Sequence, residues 1–290
     1  MSLSQPKRIL IIKLRHHGDV LLSTPVVDAL KTRFPDCEID MLVYAGTEQL
    51  IADNPQIAQI FTIDRNWKKL GVFKQLACEK NLFSKLKARD YDWAFNLSDQ
   101  WRAAIIAKLC ARCSVGLDCI KRDGFWWRFC HDFINHELDP SHHIVENQLN
   151  ILAPLIQPED VADAKVRLWV AQDARESMRQ KLREQGWSGE DYVLMHPGAR
   201  WHFKCWEDGK NAAIVQLLLN SGQNVVLTAS PDNVEQYMLQ EIIGRLNIPE
   251  GGKIWVLSGC LSLRELAAAI EGAKLFVGVD TAPMHIAAAL

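Results

Sequence analysis

Residues Arg15 to Asp19 place a guanidinium, two imidazoles, a glycine and a carboxylate directly after a largely apolar run, Ile9–Leu14. Open α/β sheets bind ligands where such a loop leaves a strand and begins a helix. The sequence predicts that Gly18 allows a tight turn and that Asp19 takes the helix N-cap position. The spacing alone fits a purely structural N-cap equally well. The loop lacks the G-x-G-x-x-G fingerprint, which disfavours hydride transfer with a dinucleotide.

Residues Asp280 to His285 form a second loop of this kind, after a strand predicted to end at Val279. Thr281 is predicted to cap the next helix, and Pro283 fits near its first position, where a missing N–H costs nothing. The free backbone amides of such a helix start bind a diphosphate. His285 lies four residues after Thr281 and therefore faces the same ligand. A well-capped helix without a ligand is the alternative.

A third loop, His196–Trp206, contains Gly198, Arg200 and Lys204 after the predicted first strand of the second half. A glycine loop with two cations at the carboxyl end of a strand fits phosphate binding. A solvated loop is the alternative.

Strands and helices alternate along the chain, which predicts parallel sheets with crossover helices. In the first half we predict strands near 7–14, 38–44, 57–63 and 91–97, with helices at about 20–34, up to 89 and at 100–111. In the second half we predict strands near 192–196, 224–228, 254–257 and 275–279, with helices at about 171–185, 209–221, 233–246, 262–272 and from 283.

The looser stretch Pro154–Asp163 predicts a linker, so we expect two doubly wound domains, residues 1–160 and 161–290. Two such halves suit a nucleotide in one and an acceptor in the other, across a cleft. The chain stops at Leu290 inside a predicted helix. We therefore expect a second domain truncated at its C-terminus, or else a terminus that frays.

The remaining composition favours a cytosolic protein. No run approaches the ~18 apolar residues that a membrane-spanning helix needs. The N-terminal apolar run, broken by Lys13, is better explained as a strand than as a signal peptide. The scattered cysteines predict reduced thiols. One cluster could bind a metal: Cys110, Cys113, Cys119, Cys130 and His131. Buried packing of these side chains is favoured, and a zinc site is the alternative.

Basic residues concentrate in two stretches although the net charge is only −2. Residues 65–89 hold eight basic residues and one acid, Glu79, and residues 101–129 hold six basic residues, two acids and the aromatic run Phe125–Phe129. A solvated helix face with core aromatics is the simplest interpretation. The alternative is a surface for an anionic partner, namely a phosphorylated substrate, acidic lipid headgroups or nucleic acid.

Three motifs together resemble those of the ADP-heptose:lipopolysaccharide heptosyltransferases. They are K-L-R-H-H-G-D-V-L-L-S-T-P, H-P-G-A-R-W-H-F-K-C-W and V-G-V-D-T-A-P-M-H-I-A-A-A-L, in the family's order and at similar separations. The R-H-H-G-D-V form and Asp99–Arg102 are most similar to the heptosyltransferase III subgroup. The resemblance implies a GT-B-type α/β fold of two Rossmann-like domains, the second incomplete, and inverting heptosyl transfer without a metal or other cofactor.

The resemblance also implies residue roles. Asp19 matches the proposed general base, and Lys204 matches a lysine beside the donor diphosphate. Asp280 is assigned to sugar hydroxyls because a diphosphate would repel it. The family's acidic donor residue matches either Asp232 or Glu235. With the loops above, the donor-binding candidates are Gly198, Arg200, Lys204, Leu261, Asp280, Thr281, Ala282 (where glycine is commoner) and His285, and the acceptor-binding candidates are Arg15, His16, His17, Gly18, Gln100 and Arg102.

We therefore expect transfer of a heptosyl unit from ADP-heptose to an inner-core heptose of lipopolysaccharide. The expected location is the cytoplasmic face of the inner membrane, where the basic stretches would steer a phosphorylated acceptor and hold the enzyme peripherally at the inner leaflet. Two alternatives remain open: a truncated and inactive fragment of such an enzyme, and a basic protein that binds nucleic acid. The favoured interpretation includes no nucleic-acid partner.

Overall fold

A computed structural model of the chain describes residues 5–117, 124–135, 141–157, 161 and 163–290. The chain divides into two compact units, Met1–Arg167 and Leu168–Leu290. The sequence placed this boundary between residues 160 and 161. Within the described residues, no helix is both long and apolar enough to cross a lipid bilayer.

The first unit contains a parallel sheet of six strands in the order β3-β2-β1-β4-β5-β6. The strands are β1 (Arg8–Lys13), β2 (Glu38–Tyr44), β3 (Gln59–Ile63), β4 (Tyr91–Asn96), β5 (Ala111–Leu117) and β6 (Phe133–Asn135). The helices are α1 (His17–Leu21), α2 (Thr24–Arg33), α3 (Val72–Ala88), α4 (Trp101–Cys110), α5 (Phe125–Phe129) and α6 (Ile144–Leu149), with 3₁₀ turns at Thr47–Leu50, Arg65–Lys69 and Asn150–Leu152.

Helices cover both faces of this first sheet. Alternate residues of a strand point to opposite faces, so Ile9 and Ile11 join one core with α2, while Leu10 and Ile12 join another with α3 and α4. β1 is buried along its length from Ile9 onward, as expected for a central parallel strand. The strand order reverses between β1 and β4. Open α/β sheets bind ligands at the carboxyl edge where this reversal occurs, and we call that edge the crevice of the sheet.

The second unit contains a parallel sheet of four strands in the order β10-β7-β8-β9. The strands are β7 (Val193–His196), β8 (Val225–Ala229), β9 (Ile254–Ser258) and β10 (Leu275–Gly278). The helices are α7 (Gln172–Arg183), α8 (Asp208–Asn220), α9 (Asn233–Gly244), α10 (Leu263–Glu271) and α11 (Ala282–Ala289), with a 3₁₀ turn at His202–Lys204. Here the order reverses between β7 and β10, so this unit has a crevice of the same kind.

The prediction of one helix at about 20–34 is wrong in one respect, because the structure has two helices, α1 and α2, in this region. Pro25 has no N–H, so it cannot donate to the carbonyl of Leu21 as a continuous helix would require. The hydroxyl of Thr24 donates to that carbonyl instead (2.9 Å), and the hydroxyl of Ser23 donates to the carbonyl of Val20 (2.7 Å). The Thr24 hydroxyl thus satisfies the Leu21 carbonyl, and the Ser23 hydroxyl is a second donor to the Val20 carbonyl, which also accepts from the Ser23 N–H (3.1 Å).

Candidate active site

Asp19 lies in the first turn of α1, not at the N-cap position that the sequence predicted. His16 is the N-cap residue, and its backbone N–H donates to the Asp19 carboxylate (3.2 Å). A carboxylate three residues after an N-cap is well placed for this bond. Gly18 lies inside α1 without a positive φ, so the predicted tight turn that requires glycine is also wrong. The partly exposed carboxylate of Asp19 follows β1, at the crevice of the first sheet.

The loop after β4 closes onto the loop after β1. Arg15 forms an ion pair with Asp99 (2.8 Å), and the Gln100 side-chain amide donates to the Leu14 carbonyl (2.9 Å). The Ser98 hydroxyl accepts from the backbone N–H of Leu14 (2.6 Å). The structure therefore brings two of the predicted acceptor residues, Arg15 and Gln100, together at the crevice that also holds Asp19.

Lys13 lies beneath this crevice and was not predicted as a site residue. Its side chain is buried, with 4% of its surface exposed, and its ammonium donates to the Leu97 carbonyl (3.2 Å). Burial lowers the pKa of Lys13 to about 8, although the nearby Asp19 carboxylate acts in the opposite direction. A lysine inside an otherwise apolar strand, two residues before a candidate loop, was the available signal.

The other predicted acceptor residues do not all lie at this crevice. His17 begins α1, and burial lowers its pKa, as does the proximity of His16 and Arg65. The Nδ1 atom of His17 is buried without a hydrogen-bond partner. Arg102 pairs with Glu79 of α3, so the structure holds its guanidinium at α3, not at the loop after β1.

In the second unit, Lys204 pairs with Asp280 across the crevice of the sheet. The ammonium of Lys204 donates to the Asp280 carboxylate (2.6 Å) and to the Asp280 backbone carbonyl (3.1 Å). Lys204 follows β7 and Asp280 follows β10, the two strands between which the order reverses. The Lys204 ammonium lowers the pKa of Asp280, and His285 acts in the same direction. The sequence predicted both residues but not their ion pair.

Thr281 is the N-cap residue of α11, but its hydroxyl makes no capping hydrogen bond. The Oγ1 atom is buried without a partner. The N–H groups of Met284 and His285 both donate to the Thr281 carbonyl, and Pro283 has no N–H. Most of the backbone amides that were predicted to be free at this helix start therefore already donate a hydrogen bond or are absent. The helix start offers instead the buried hydroxyl of Thr281, beside Ala282.

Glu235, not Asp232, is the acid that faces the third loop. The Asp232 carboxylate caps α9 by accepting from the Val234 N–H (2.9 Å). Glu235 is buried, accepts from the Ser230 N–H (2.9 Å), and lies so close to Gly198 that a Cβ there would be 2.5 Å from its Oε2. Gly198 thus allows a close approach of the loop after β7 to this carboxylate.

His196 completes this buried group and was missed as a site residue. Its Nδ1 lies 2.9 Å from the Thr228 hydroxyl, and its Nε2 lies 3.8 Å from the Glu235 carboxylate. Burial lowers the pKa of His196, while Glu235 acts to raise it. A histidine at the end of an apolar strand, directly before the Pro-Gly of the loop, was the signal available in the sequence.

The remaining donor candidates are more dispersed. Arg200 is exposed, with its guanidinium 5.8 Å from the centre of the Trp201 ring. Leu261 follows β9, which lies two strands from β7 in the sheet. It shares the carboxyl edge of the sheet with Lys204 but not the crevice itself.

Residues 80–290 match the sequence family described as glycosyltransferase family 9 (heptosyltransferase). The chain is 36% identical over 278 residues to lipopolysaccharide heptosyltransferase 3 of Escherichia coli, a match that covers 96% of this chain and 79% of that protein. The chain belongs to glycosyltransferase family 9, the heptosyltransferases. The predicted family and the predicted enzyme class, a glycosyltransferase, are therefore confirmed.

Other family 9 proteins agree in sequence and in fold. Lipopolysaccharide heptosyltransferase 1 of Campylobacter coli is 22% identical over 289 residues, with 98% of this chain and 81% of that protein covered. The crystal structure of a family 9 glycosyltransferase from Veillonella parvula superposes with a TM-score of 0.83 at 20% identity, covering 100% of this chain and 79% of that chain. For Escherichia coli heptosyltransferase WaaC with ADP, the TM-score is 0.74 at 20% identity, with coverage of 98% and 84%. The predicted GT-B-type fold class is confirmed.

The zinc alternative gains no support from this family 9 structure. Among the residues that the structure describes, no group of three or more His, Cys, Asp or Glu side chains is placed to hold a metal ion. Cys110 and Cys113 are buried in the first unit. The imidazole of His131 lies within hydrogen-bond distance of Asn96 and of the Trp127 carbonyl. Cys119 lies outside the described residues.

Proposed function

We propose that this family 9 enzyme transfers an L-glycero-D-manno-heptosyl unit, with inversion, from ADP-heptose to an inner-core heptose of lipopolysaccharide. The observation that carries the proposal is the 36% identity to lipopolysaccharide heptosyltransferase 3 over 96% of the chain. The geometry supports it, because polar residues that suit an acceptor and a donor lie at the sheet crevices of the first and the second unit. Nothing in the comparisons favours the nucleic-acid alternative.

Asp19 is the general base in this proposal. Inversion requires a group that takes the proton of the acceptor hydroxyl while the oxygen attacks the anomeric carbon opposite the leaving ADP. The Asp19 carboxylate is partly exposed and is oriented by the His16 N–H. Arg15 and Gln100, which lie at the same crevice, bind the acceptor.

The donor is held by the second unit. Lys204 exchanges its contact with Asp280 for the diphosphate, and the released carboxylate accepts hydrogen bonds from sugar hydroxyls. The buried hydroxyl of Thr281 gains the partner that it lacks in the free protein. The proposal includes no metal ion, because a preorganised ammonium at Lys204, aided by the exposed Arg200, stabilises the negative charge of departing ADP.

The test is the substitution Asp19→Asn. We expect kcat to fall at least ~10²-fold while the Kd for ADP-heptose changes little, because the base acts on the acceptor proton and not on the donor. The matched control is Asp208→Asn, since Asp208 is also an acid in the first turn of a helix, α8. Near-normal turnover in Asp19→Asn would remove this residue from the base role.

A further inference from the structure

The beginning of α3 exposes large apolar side chains on consecutive turns. The exposed fractions are 45% for Leu70, 78% for Val72, 90% for Phe73 and 64% for Leu76. We call the segment Leu70–Leu76 the apolar tip. Single exposed apolar residues are common on protein surfaces, but a contiguous group of this kind marks an interaction site.

The apolar tip is not part of the protein core. The inward face of α3 is provided by Leu82 and Leu86, which are buried in the core between the sheet and α4. Val72, Phe73 and Leu76 lie within one turn of each other at the start of the helix, since residues three and four apart are neighbours, and all three are exposed. The described residues of the first unit therefore leave the tip largely exposed.

Lysines flank the tip along the chain. Lys68 and Lys69 precede it, Lys74 lies within it and Lys80 follows one turn later, and all four are exposed. The acid of this stretch, Glu79, is engaged by Arg102. Apolar side chains with exposed lysines close by in the chain complement a surface that is negatively charged outside and apolar within, which describes an anionic lipid bilayer.

The position of the tip relates it to the acceptor crevice. The 3₁₀ turn Arg65–Lys69 follows β3, so α3 begins at the edge of the sheet where the strands end. The guanidinium of Arg65 donates to the Arg15 carbonyl (3.3 Å) and lies over the Tyr44 ring (4.1 Å). The tip and the loop that carries Asp19 thus belong to the same edge of the first unit.

We propose that the apolar tip inserts into the headgroup region of an anionic lipid bilayer while the flanking lysines contact the lipid phosphates. The choice of a bilayer rests on the proposed function, which places the acceptor on a lipid. Insertion at this edge holds the Asp19 loop near a saccharide that projects from the membrane. The exposed aromatic residues of α5, Phe125, Trp126 and Phe129, are the rival surface, although Arg128 is the one basic residue within that helix.

The test measures sedimentation of the full chain with vesicles that contain no lipopolysaccharide. We expect binding to vesicles of phosphatidylglycerol and phosphatidylcholine and at least tenfold weaker binding to phosphatidylcholine alone. The substitution Phe73→Ser should weaken binding at least ~10-fold, because a large apolar side chain no longer leaves water. Replacing Lys68 and Lys69 with Gln should weaken it about tenfold and reduce its salt dependence.

Two controls make the result specific. Leu217→Ser removes a comparably exposed apolar residue, 67% exposed, from α8 of the other unit, and should bind vesicles like the wild type. Trp126→Ser tests α5 as the rival surface. Unchanged binding by Phe73→Ser, equal binding of the wild type to both vesicle types, or a dimer that Phe73→Ser dissociates without any vesicle binding would each overturn the proposal.

Heptosyl transfer to a soluble, delipidated acceptor separates this inference from the proposed function. Phe73→Ser should leave that turnover within about twofold of the wild-type value, because the residue is exposed and belongs neither to the Asp19 loop nor to the donor candidates. If vesicle binding behaves as expected but no heptosyl transfer occurs, the proposed function fails and the bilayer surface stands. If transfer occurs and Phe73→Ser binds vesicles normally, only the bilayer surface fails.

Discussion

At the scale of single residues, Lys13 carries a charge that is costly to bury, and it lies next to the proposed base, Asp19. Its ammonium is buried, and burial lowers its pKa from 10.5 to about 8. A buried charge is tolerated only where it is hydrogen-bonded or useful. The single carbonyl that it contacts, that of Leu97 (3.2 Å), is modest compensation. The Asp19 carboxylate lies near enough to act electrostatically on this ammonium.

Lys13→Met should therefore raise stability and lower activity. The folded-state pKa of about 8 lies below the unfolded value of 10.5, so the unfolded wild type binds the proton more tightly, and wild-type stability increases as the pH rises from about 8 to 10.5. Thermal unfolding should show a higher midpoint for Lys13→Met at pH 7, with the difference shrinking across that pH range. Turnover at pH 7 should fall about tenfold, because the ammonium that interacts with the Asp19 carboxylate is lost.

The control for Lys13→Met is Lys31→Met. Lys31 also donates to a backbone carbonyl, that of Cys37 (2.6 Å), but it is not buried. Its replacement should cost a hydrogen bond without the gain from removing a buried charge. A lower midpoint for Lys13→Met at pH 7 would show that the bond to Leu97 outweighs the cost of burial.

The residues of the candidate site could be named from the sequence, whereas the pairing of Lys204 with Asp280 could not. Asp19, Lys204 and Asp280 were predicted from their loops and from the family resemblance. The bond from His16 to Asp19 is local, between residues three apart, but the ion pair of Lys204 with Asp280 depends on which strands are neighbours. Strand order is not encoded in the spacing of residues along the chain, so this pairing needed the structure.

At the scale of elements, the loop after β7 depends on the absence of a side chain at Gly198. A Cβ there would lie 2.5 Å from Oε2 and 2.7 Å from Cδ of Glu235. Gly198→Ala should displace Glu235 from the Ser230 N–H and destabilise the second unit by about 1–3 kcal/mol. Urea unfolding measures this loss, and ADP titration should show at least tenfold weaker binding.

Gly209→Ala is the matched control for Gly198→Ala. Gly209 lies in the first turn of α8, and a Cβ there would meet nothing within 4 Å. This control should be neutral or slightly stabilising, since alanine favours helix. The shorter side chain of Glu235→Asp should partly rescue Gly198→Ala. Absence of rescue would show that the loop, not the carboxylate, has moved.

Elements were predicted well where the hydrophobic pattern was strong. The helices of the second unit differ from their predicted limits by a few residues. In the first unit, the sequence did not reveal β5, β6 or the division of the helix at Pro25. β5 begins directly after α4, at Ala111, and its short alternating pattern cannot be distinguished from a continuing helix by periodicity.

At the scale of the whole molecule, both units reverse their strand order, and both place predicted site residues at that reversal. In the first unit these are Asp19, Arg15 and Gln100, and in the second they are Lys204 and Asp280. Alternating strands and helices predicted the α/β class, and the boundary at Arg167 lies near the looser stretch of the sequence. The reversal of strand order depends on how the strands pack against one another, which a single sequence does not show.

This arrangement predicts that ADP protects only the second unit. A ligand that binds the native state alone increases stability by RT ln(1 + [L]/Kd), about 2.7 kcal/mol at 100 Kd. Amides of the second unit that exchange through its unfolding should therefore slow about 100-fold at that ADP concentration, including those at 197–205 and 280–290. Amides of the first unit, including those at 15–19 and 97–102, should exchange at unchanged rates.

Hydrogen exchange followed by mass spectrometry measures this difference, and two lysine variants make it specific. Lys204→Met should lose most of the protection at a fixed ADP concentration, because its ammonium holds the diphosphate in the proposed function. Lys210→Met should keep it, since Lys210 lies on the outside of α8 and pairs with Glu207. Equal protection of both units would contradict the prediction, because it would mean that ADP contacts the first unit or that the two units unfold together. Protection confined to the second unit but unaffected by Lys204→Met would move the diphosphate away from the Lys204–Asp280 pair while keeping the donor in this unit.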